Sequence, residues 1–312
     1  MRIVIALGGN ALLKRGEPMT AEIQRNNVSK AAEALADVVR AGHEIIVAHG
    51  NGPQVGLLAL QAAAYQAVPP FPLDVLGAES VGMIGYLVEQ ELTNALPAKT
   101  RLATVLTQVE VDAHDPAFKR PEKPIGPVYD TVEKKDRMAS AHGWTMVEEN
   151  SGKWRRVVPS PRPRLIVQIE VIKLLVGSGV VVICAGGGGI PVVKDRRGKL
   201  SGVEAVIDKD RAAALLASQV DADAFLMLTD VEAVYTNWGT DQQEAIREAD
   251  PRGFNNMHFA AGSMGPKVEA ACNFVSAGEG RRIAGIGRLE DALAILSGKA
   301  GTIIRDKAAA PH

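Results

Sequence analysis

The chain has 312 residues, 46% of them hydrophobic and 23% charged, enough apolar content for one large core or two smaller ones. Its 35 basic and 36 acidic side chains nearly cancel, which leaves no electrostatic footprint for nucleic acid or an anionic membrane and makes small molecules the expected partners. Cys184 and Cys272 show no metal spacing and predict no disulfide, no apolar stretch approaches the roughly 18 residues of a membrane span, and residues 3 to 7 are too short for a signal-peptide core, so a soluble protein of a reducing cytoplasm is expected.

In chain order, residues 3 to 7 are too few and too β-branched for a helix and predict a buried strand ending at the pair Gly8-Gly9. Bare backbone after a buried strand lets N–H groups approach an anion without a Cβ in the way. Residues 20 to 41 carry apolar side chains at mostly three- and four-residue spacing and stop at Gly42, which predicts an amphipathic helix. The next strand, 44 to 48, runs into His49-Gly50-Asn51-Gly52-Pro53, completing a β-α-β unit that favours a parallel sheet. A proline-opened helix is predicted from Pro53 to residue 66. Another covers 77 to 96, where Val81, Ile84, Val88 and Leu92 form a stripe that fits either internal packing or a subunit interface. Residues 102 to 111 predict a strand.

From about 112 to 163 the rhythm lapses, prolines gather and basic residues are dense. A segment of this length inside a compact domain is functional or folds by itself, so a small inserted subdomain acting as a lid is expected. Most of its charges read as solvated surface. Lys123 is the exception, because the prolines around it in Pro121-Glu122-Lys123-Pro124-Ile125-Gly126-Pro127 restrict the backbone that aims it. Regular rhythm returns with a helix from 164 to 176 and a strand, 180 to 184, that runs into Ala185-Gly186-Gly187-Gly188-Gly189. Asp208 and Asp210 precede an alanine-rich helix, where either acts as cap or dipole partner unless chemistry claims it. Residues 224 to 228 form a strand ending at Thr229-Asp230. A helix from 266 carries Lys267 in its first turn, where a cation opposes the helix dipole, so function explains it better than stability. Strands at 282 to 286 and 301 to 304, with a helix between, complete the sheet.

Three glycine-rich loops at strand ends share one edge of a parallel sheet, where ligands bind. Glycine loops, cations and acidic residues that hold the cations are what phosphoryl transfer requires. No G-x-x-x-x-G-K-[ST] sequence occurs, and Gly56 falls one residue late for a dinucleotide fingerprint. The histidines form no metal cluster and G-x-S-x-G is absent, so zinc and serine hydrolase readings lack support.

In this order along nearly the whole chain, the segments Ala6-Leu7-Gly8-Gly9-Asn10-Ala11-Leu12, His49 to Gly56, Lys123-Pro124-Ile125-Gly126-Pro127, Ala185 to Pro191, Asp208-Lys209-Asp210 and Gly262-Ser263-Met264-Gly265-Pro266-Lys267 resemble the motif set of the carbamate kinases, within the amino acid kinase family. The resemblance implies a three-layer α-β-α sandwich around a mostly parallel sheet, one domain over 1–312 with a protruding subdomain at 112–163, and a homodimer. It implies an enzyme that interconverts carbamoyl phosphate plus ADP with carbamate plus ATP, with Mg2+ carried mainly by the nucleotide phosphates. Gly8, Gly9, Asn10, Gly50, Asn51, Gly52, Gly186 and Gly187 would hold the phosphoryl group or carbamoyl phosphate. Lys209 and Lys267 would neutralise it, Asp210 would orient those lysines, and Lys123 would reach in from the subdomain. Asp230, Tyr235 and Met264, with Lys267, would line the nucleotide site. One departure is Val81, where a glutamine is common in the family. Relatives such as acetylglutamate kinase carry a lysine two residues before the glycine pair; here that position is Ala6, and Lys123 and Lys209 are the candidates to replace its charge. Two alternatives are another small-carboxylate kinase of this fold and a non-catalytic acyl-phosphate or nucleotide sensor. The sensor would be expected to lack one of the lysines.

Overall fold

The β-branched run Arg2–Leu7 is a strand whose residues 3 to 7 are completely buried. In the computed structural model it lies near the middle of an eight-stranded sheet. Parallel neighbours are Glu44–His49 on one side and Ala224–Thr229 on the other, in registers that set Leu7 beside His49 and Leu228. Val180–Ile183 and then Arg101–Thr104 extend the sheet beyond Glu44–His49, while Ile283–Arg288 extends it beyond Ala224–Thr229, all parallel. Thr302–Arg305 then turns antiparallel and pairs with the short Glu248–Ala249 strand. The structure describes residues 1–14, 16–65, 67–254, 257, 259 and 264–306, with only the backbone at Asn10 and Asn150.

Because side chains alternate across a strand, each strand feeds two cores. Val4, Ala6, Ile46, Ala48, Phe225 and Met227 face helices Ile169–Gly177, Lys209–Gln219 and Met264–Ser276. Ile3, Ile5, Leu7, Ile45, Val47, Leu226 and Leu228 face helices Ala21–Arg40, Leu73–Ala95 and Ala292–Leu296. The result is a three-layer sandwich with a mostly parallel sheet. Val81, Ile84, Val88 and Leu92 are buried inside the subunit, whereas Met83 and Tyr86 of the same helix are exposed.

Three local expectations are revised. Residues 102 to 111 are not one strand: Arg101–Thr104 stays in the large sheet and Gln108–Val111 pairs with Ile190–Lys194 and Pro163–Ile166 in a second, four-stranded sheet. Residues 164 to 176 divide into strand Pro163–Ile166 and helix Ile169–Gly177. The glycine pair opens a one-turn helix, Gly9–Leu12, rather than an open loop. Alternation alone cannot tell which sheet a short run joins.

Between Val111 and Pro163 the chain forms a three-stranded sheet, Lys123–Tyr129, Lys153–Val158 and Met146–Asn150, with helix Val132–His142. Its root is fixed to the main body. Ile125 and Val158 pack with Val55, Ala59, Leu73 and Leu76, and Gly126 lies in left-handed backbone (φ 72°) directly against Gly56 of helix Gly52–Ala64. A Cβ on Gly56 would come within 2.3 Å of the Gly126 Cα. Gly56→Ala gains about 1 kcal/mol of helix propensity but forces two backbones apart, at a cost of about 1–3 kcal/mol. We expect net destabilisation in urea denaturation; an unchanged or raised midpoint would show that the two backbones separate freely.

Candidate active site

The carboxyl ends of the parallel strands bring together Gly8, Gly50 and the segment after Ala224–Thr229. Gly8 N–H donates to Leu228 O at 2.7 Å and Gly50 N–H donates to Leu7 O at 3.2 Å. Gly50 is so close to Gly9 that a Cβ there would sit 3.4 Å from the Gly9 Cα and 3.6 Å from the Lys209 side chain. Helices Gly9–Leu12 and Gly52–Ala64 both start at this edge, and neither has a side-chain cap. Uncapped first-turn N–H groups at a positive helix end suit an anion.

Helix Lys209–Gln219 starts differently. Asp208 Oδ1 accepts the N–H groups of Asp210 at 3.0 Å and Arg211 at 3.2 Å, and its Oδ2 accepts Lys123 Nζ at 2.7 Å. Asp210 lies between two cations: Oδ1 accepts Lys209 Nζ at 2.7 Å and Oδ2 accepts Lys267 Nζ at 2.8 Å. Its side chain is only 6% exposed. Burial alone would raise the Asp210 carboxyl, but the Lys209 and Lys267 ammonium groups outweigh burial and hold it well below the usual carboxylate range. Burial lowers the Lys209 ammonium and Lys267 repels it, with Asp210 opposing both. Across the two helices Arg211 pairs with Glu269 at 2.8 Å, clamping the segments that carry Lys209 and Lys267.

The four predicted charged residues Lys123, Lys209, Asp210 and Lys267 thus meet around one helix start. Gly186 and Gly187 lie buried behind the edge. A Cβ on Gly186 would strike the His49 ring at 2.4 Å, and one on Gly187 would strike the Asn51 amide at 2.2 Å. Asn51 itself is buried and donates to Ser80 Oγ at 2.8 Å, which donates to Gly77 O at 2.7 Å. Gly52 opens the helix beside it. Asp230 follows strand Ala224–Thr229 and accepts from Thr229 Oγ1 at 3.1 Å; Tyr235 is half-buried and its ring lies 5.3 Å from that of exposed Trp238; Met264 begins the helix of Lys267. The Asn10 side chain, Gly262 and Ser263 fall outside the described residues. Sequence reasoning missed Ser80, which is one serine on an apolar helix, and gave Asp208 no partner beyond its own helix, as cap or dipole partner, though it stands in the Asp208-Lys209-Asp210 motif. Its pairing with Lys123 spans 85 positions and leaves no local signal.

The sequence and the architecture have counterparts among known proteins. The model of the amino acid kinase family matches residues 1–284. The chain belongs to the amino acid kinase family. Within this family it is 56% identical to a Haemophilus influenzae protein named carbamate kinase, over 98% of this chain and 97% of that one, and 47% identical to carbamate kinase of Pyrococcus furiosus, over 96% and 98%. Among solved structures, carbamate kinase from Giardia lamblia bound to AMP-PNP superposes with a TM-score of 0.89 at 41% identity, covering 98% of each chain.

His49 is fully buried next to this centre. Its Nδ1 is 3.1 Å from Gly50 O, and its Nε2 has no partner. Burial pushes the imidazole down to about 4, against which the Gly50 contact works and with which Lys209 works. The unfolded chain takes up this proton near pH 6.5 and the folded one refuses it until about 4, so stability falls as pH drops through that window. Urea denaturation at pH 7.5 and 4.5 should differ by on the order of 2 kcal/mol from this group, and His49→Gln should flatten the slope. An equal slope in the variant would mean that the imidazole takes up its proton as readily in the fold as in the unfolded chain.

Proposed function

We propose that this protein catalyses the carbamate kinase reaction, transferring the phosphoryl group of carbamoyl phosphate to ADP to give ATP and carbamate, which decomposes to ammonia and CO2. The observation that carries this reading is the Asp210 carboxylate bridging Lys209 and Lys267 at an edge where glycine backbones converge, with Lys123 joined to the same helix start and the apolar Ala6 fully buried where acetylglutamate kinase and similar enzymes place a lysine. The names of the full-length relatives support carbamate as the acceptor in the reverse direction.

An oxygen of the ADP β-phosphate attacks phosphorus, the bond to the carbamate oxygen breaks, and carbamate leaves as an anion. No proton has to move, so no general base is needed. Rate must come from positioning and from cations fixed where charge builds on the transferring group. Lys209 and Lys267 supply that charge, and Asp210 holds both ammonium groups in place through one oxygen each. Gly9, Asn10, Asn51 and Gly52 offer backbone N–H groups to the phosphoryl group, Gly8 and Gly50, whose own N–H groups are taken by Leu228 O and Leu7 O, keep the backbone bare of side chains beside it, and Gly186 and Gly187 support the edge from behind. Asp230, Tyr235 and Met264 flank the nucleotide. Asp208 and Asp210 are both already ion-paired, and no cluster among the described residues is suited to a metal, so Mg2+ is assigned to the nucleotide phosphates as part of the substrate. The subdomain over 112–163 carries Lys123 at its root and shields acyl phosphate and carbamate from water. Exposed Met83 and Tyr86 supply apolar surface for a homodimer. Since carbamoyl phosphate is a mixed anhydride of high transfer potential, net flux runs toward ATP, and a cytoplasmic setting fits.

A coupled assay should register ATP from carbamoyl phosphate and MgADP; no ATP, with activity on another small carboxylate, would overturn the reading. Lys209→Ala and Lys267→Ala should each lower kcat by roughly 10²–10³, the scale of losing one preorganised donor. Lys123→Ala should impair use of carbamoyl phosphate while leaving ADP binding near normal, and unchanged kcat/KM for carbamoyl phosphate would remove Lys123 from the site. The pH profile should show no histidine inflection near 6.5, since His49 stays neutral there.

A further inference from the structure

Capping a helix requires a side-chain acceptor but no charge, and Asn or Ser serves there as well as Asp. At a site built for phosphate and carboxylate anions, a negative cap opposes the substrate. Asp208 nevertheless carries a charge there, and the charge has a specific partner: Oδ1 serves the helix N–H groups and Oδ2 holds Lys123 Nζ at 2.7 Å. Lys123 needs such a partner. Its side chain is 33% exposed, against 15% for Lys209 and 13% for Lys267, and it stands on a strand of the inserted subdomain rather than on the sheet edge. The two segments are already tied nearby, since Lys123 lies opposite Val158 in the subdomain sheet and Val206 N–H donates to Pro159 O at 3.0 Å.

We propose that Asp208 is a positioning residue for Lys123: its carboxylate welds the subdomain cation to the start of the helix that carries Lys209 and Asp210, so that all three lysines present one preformed cationic surface. Lys123 then already stands beside the start of that helix in the protein without substrate. The attraction of Lys123 also offsets what burial and the neighbouring Asp210 do to the Asp208 carboxyl, keeping it ionised. This inference rests on the carbamate kinase reading for its kinetic arm but not for its structural arm.

The test uses Asp208→Asn, which retains the cap and loses the ion pair, with Asp208→Ala, Lys123→Ala and the double variant Asp208→Asn/Lys123→Ala for comparison. Asp208→Asn should raise KM for carbamoyl phosphate about tenfold, the scale of one partly exposed charged hydrogen bond, while KM for ADP moves less than twofold. Added to Lys123→Ala, the same change should have almost no further effect on carbamoyl phosphate, because the two residues act through one contact. Independently of activity, amide exchange over residues 123–129 should quicken in Asp208→Asn with the 209–219 helix unchanged. Full additivity of the two substitutions, or unchanged exchange over 123–129, overturns the proposal. Asp208→Ala serves as the control for lost capping and should additionally loosen the helix start. If the wild-type protein makes no ATP, the reaction assignment fails, and the exchange experiment still decides whether Asp208 holds the subdomain strand.

Discussion

Two ammonium groups from different helices repel each other, by on the order of 4 kcal/mol at 4 Å in a partly buried setting, unless something negative stands between them. In this fold that something is the Asp210 carboxylate, one oxygen to each lysine. Everything around it follows from keeping the three groups in place. The helices bearing them pack side by side on one face of the sheet, Arg211 and Glu269 hold them together, and small residues such as Ala212, Ala213, Ala270 and Ala271 let them approach. Burial makes an unpaired carboxylate expensive, but here the two lysines outweigh burial and keep Asp210 ionised, so the cluster carries a net positive charge without any ligand.

The second constraint is space. The glycines of residues 186–189 turn through left-handed backbone at 187 to 189, and their missing Cβ atoms are replaced by the His49 ring, the Asn51 amide, Ile207 O and the Val109 side chain. This loop therefore fixes the floor of the site from behind. Its work is geometric, filling the space beneath Asn51 so that residues 50 to 52 keep one conformation. Ser80 completes the fixation from helix Leu73–Ala95.

Much of this was legible in the sequence because local physics wrote it there. Buried strands of β-branched residues ending in glycine identified Arg2–Leu7, Glu44–His49 and Val180–Ile183, and the alternation of strands with amphipathic helices identified the parallel sheet, while the layers came from the family resemblance. Lys267 announced itself by opposing its helix dipole. What escaped was non-local. Nothing near residue 106 says that the strand on either side joins a different sheet, and nothing near Asp208 says that its second oxygen meets a lysine from an inserted segment. The near-miss of Gly56 against a dinucleotide pattern has a plain meaning in three dimensions: it is where the backbone of helix Gly52–Ala64 touches that of Gly126.

The neck at Val111 and Pro163 has a consequence for how the chain tolerates change. Its entry and exit strands, Gln108–Val111 and Pro163–Ile166, are hydrogen-bonded antiparallel neighbours, so the whole insert leaves and returns at one point of the main body. Closing a loop there costs only a logarithmic increment in entropy as the loop lengthens. The outer turns and helix of the insert are free to vary in length or composition at little expense to the large sheet, while the root strand with Lys123 is held by its packing on Val55, Leu73 and Leu76. Variation and chemistry are thereby separated within a single inserted segment.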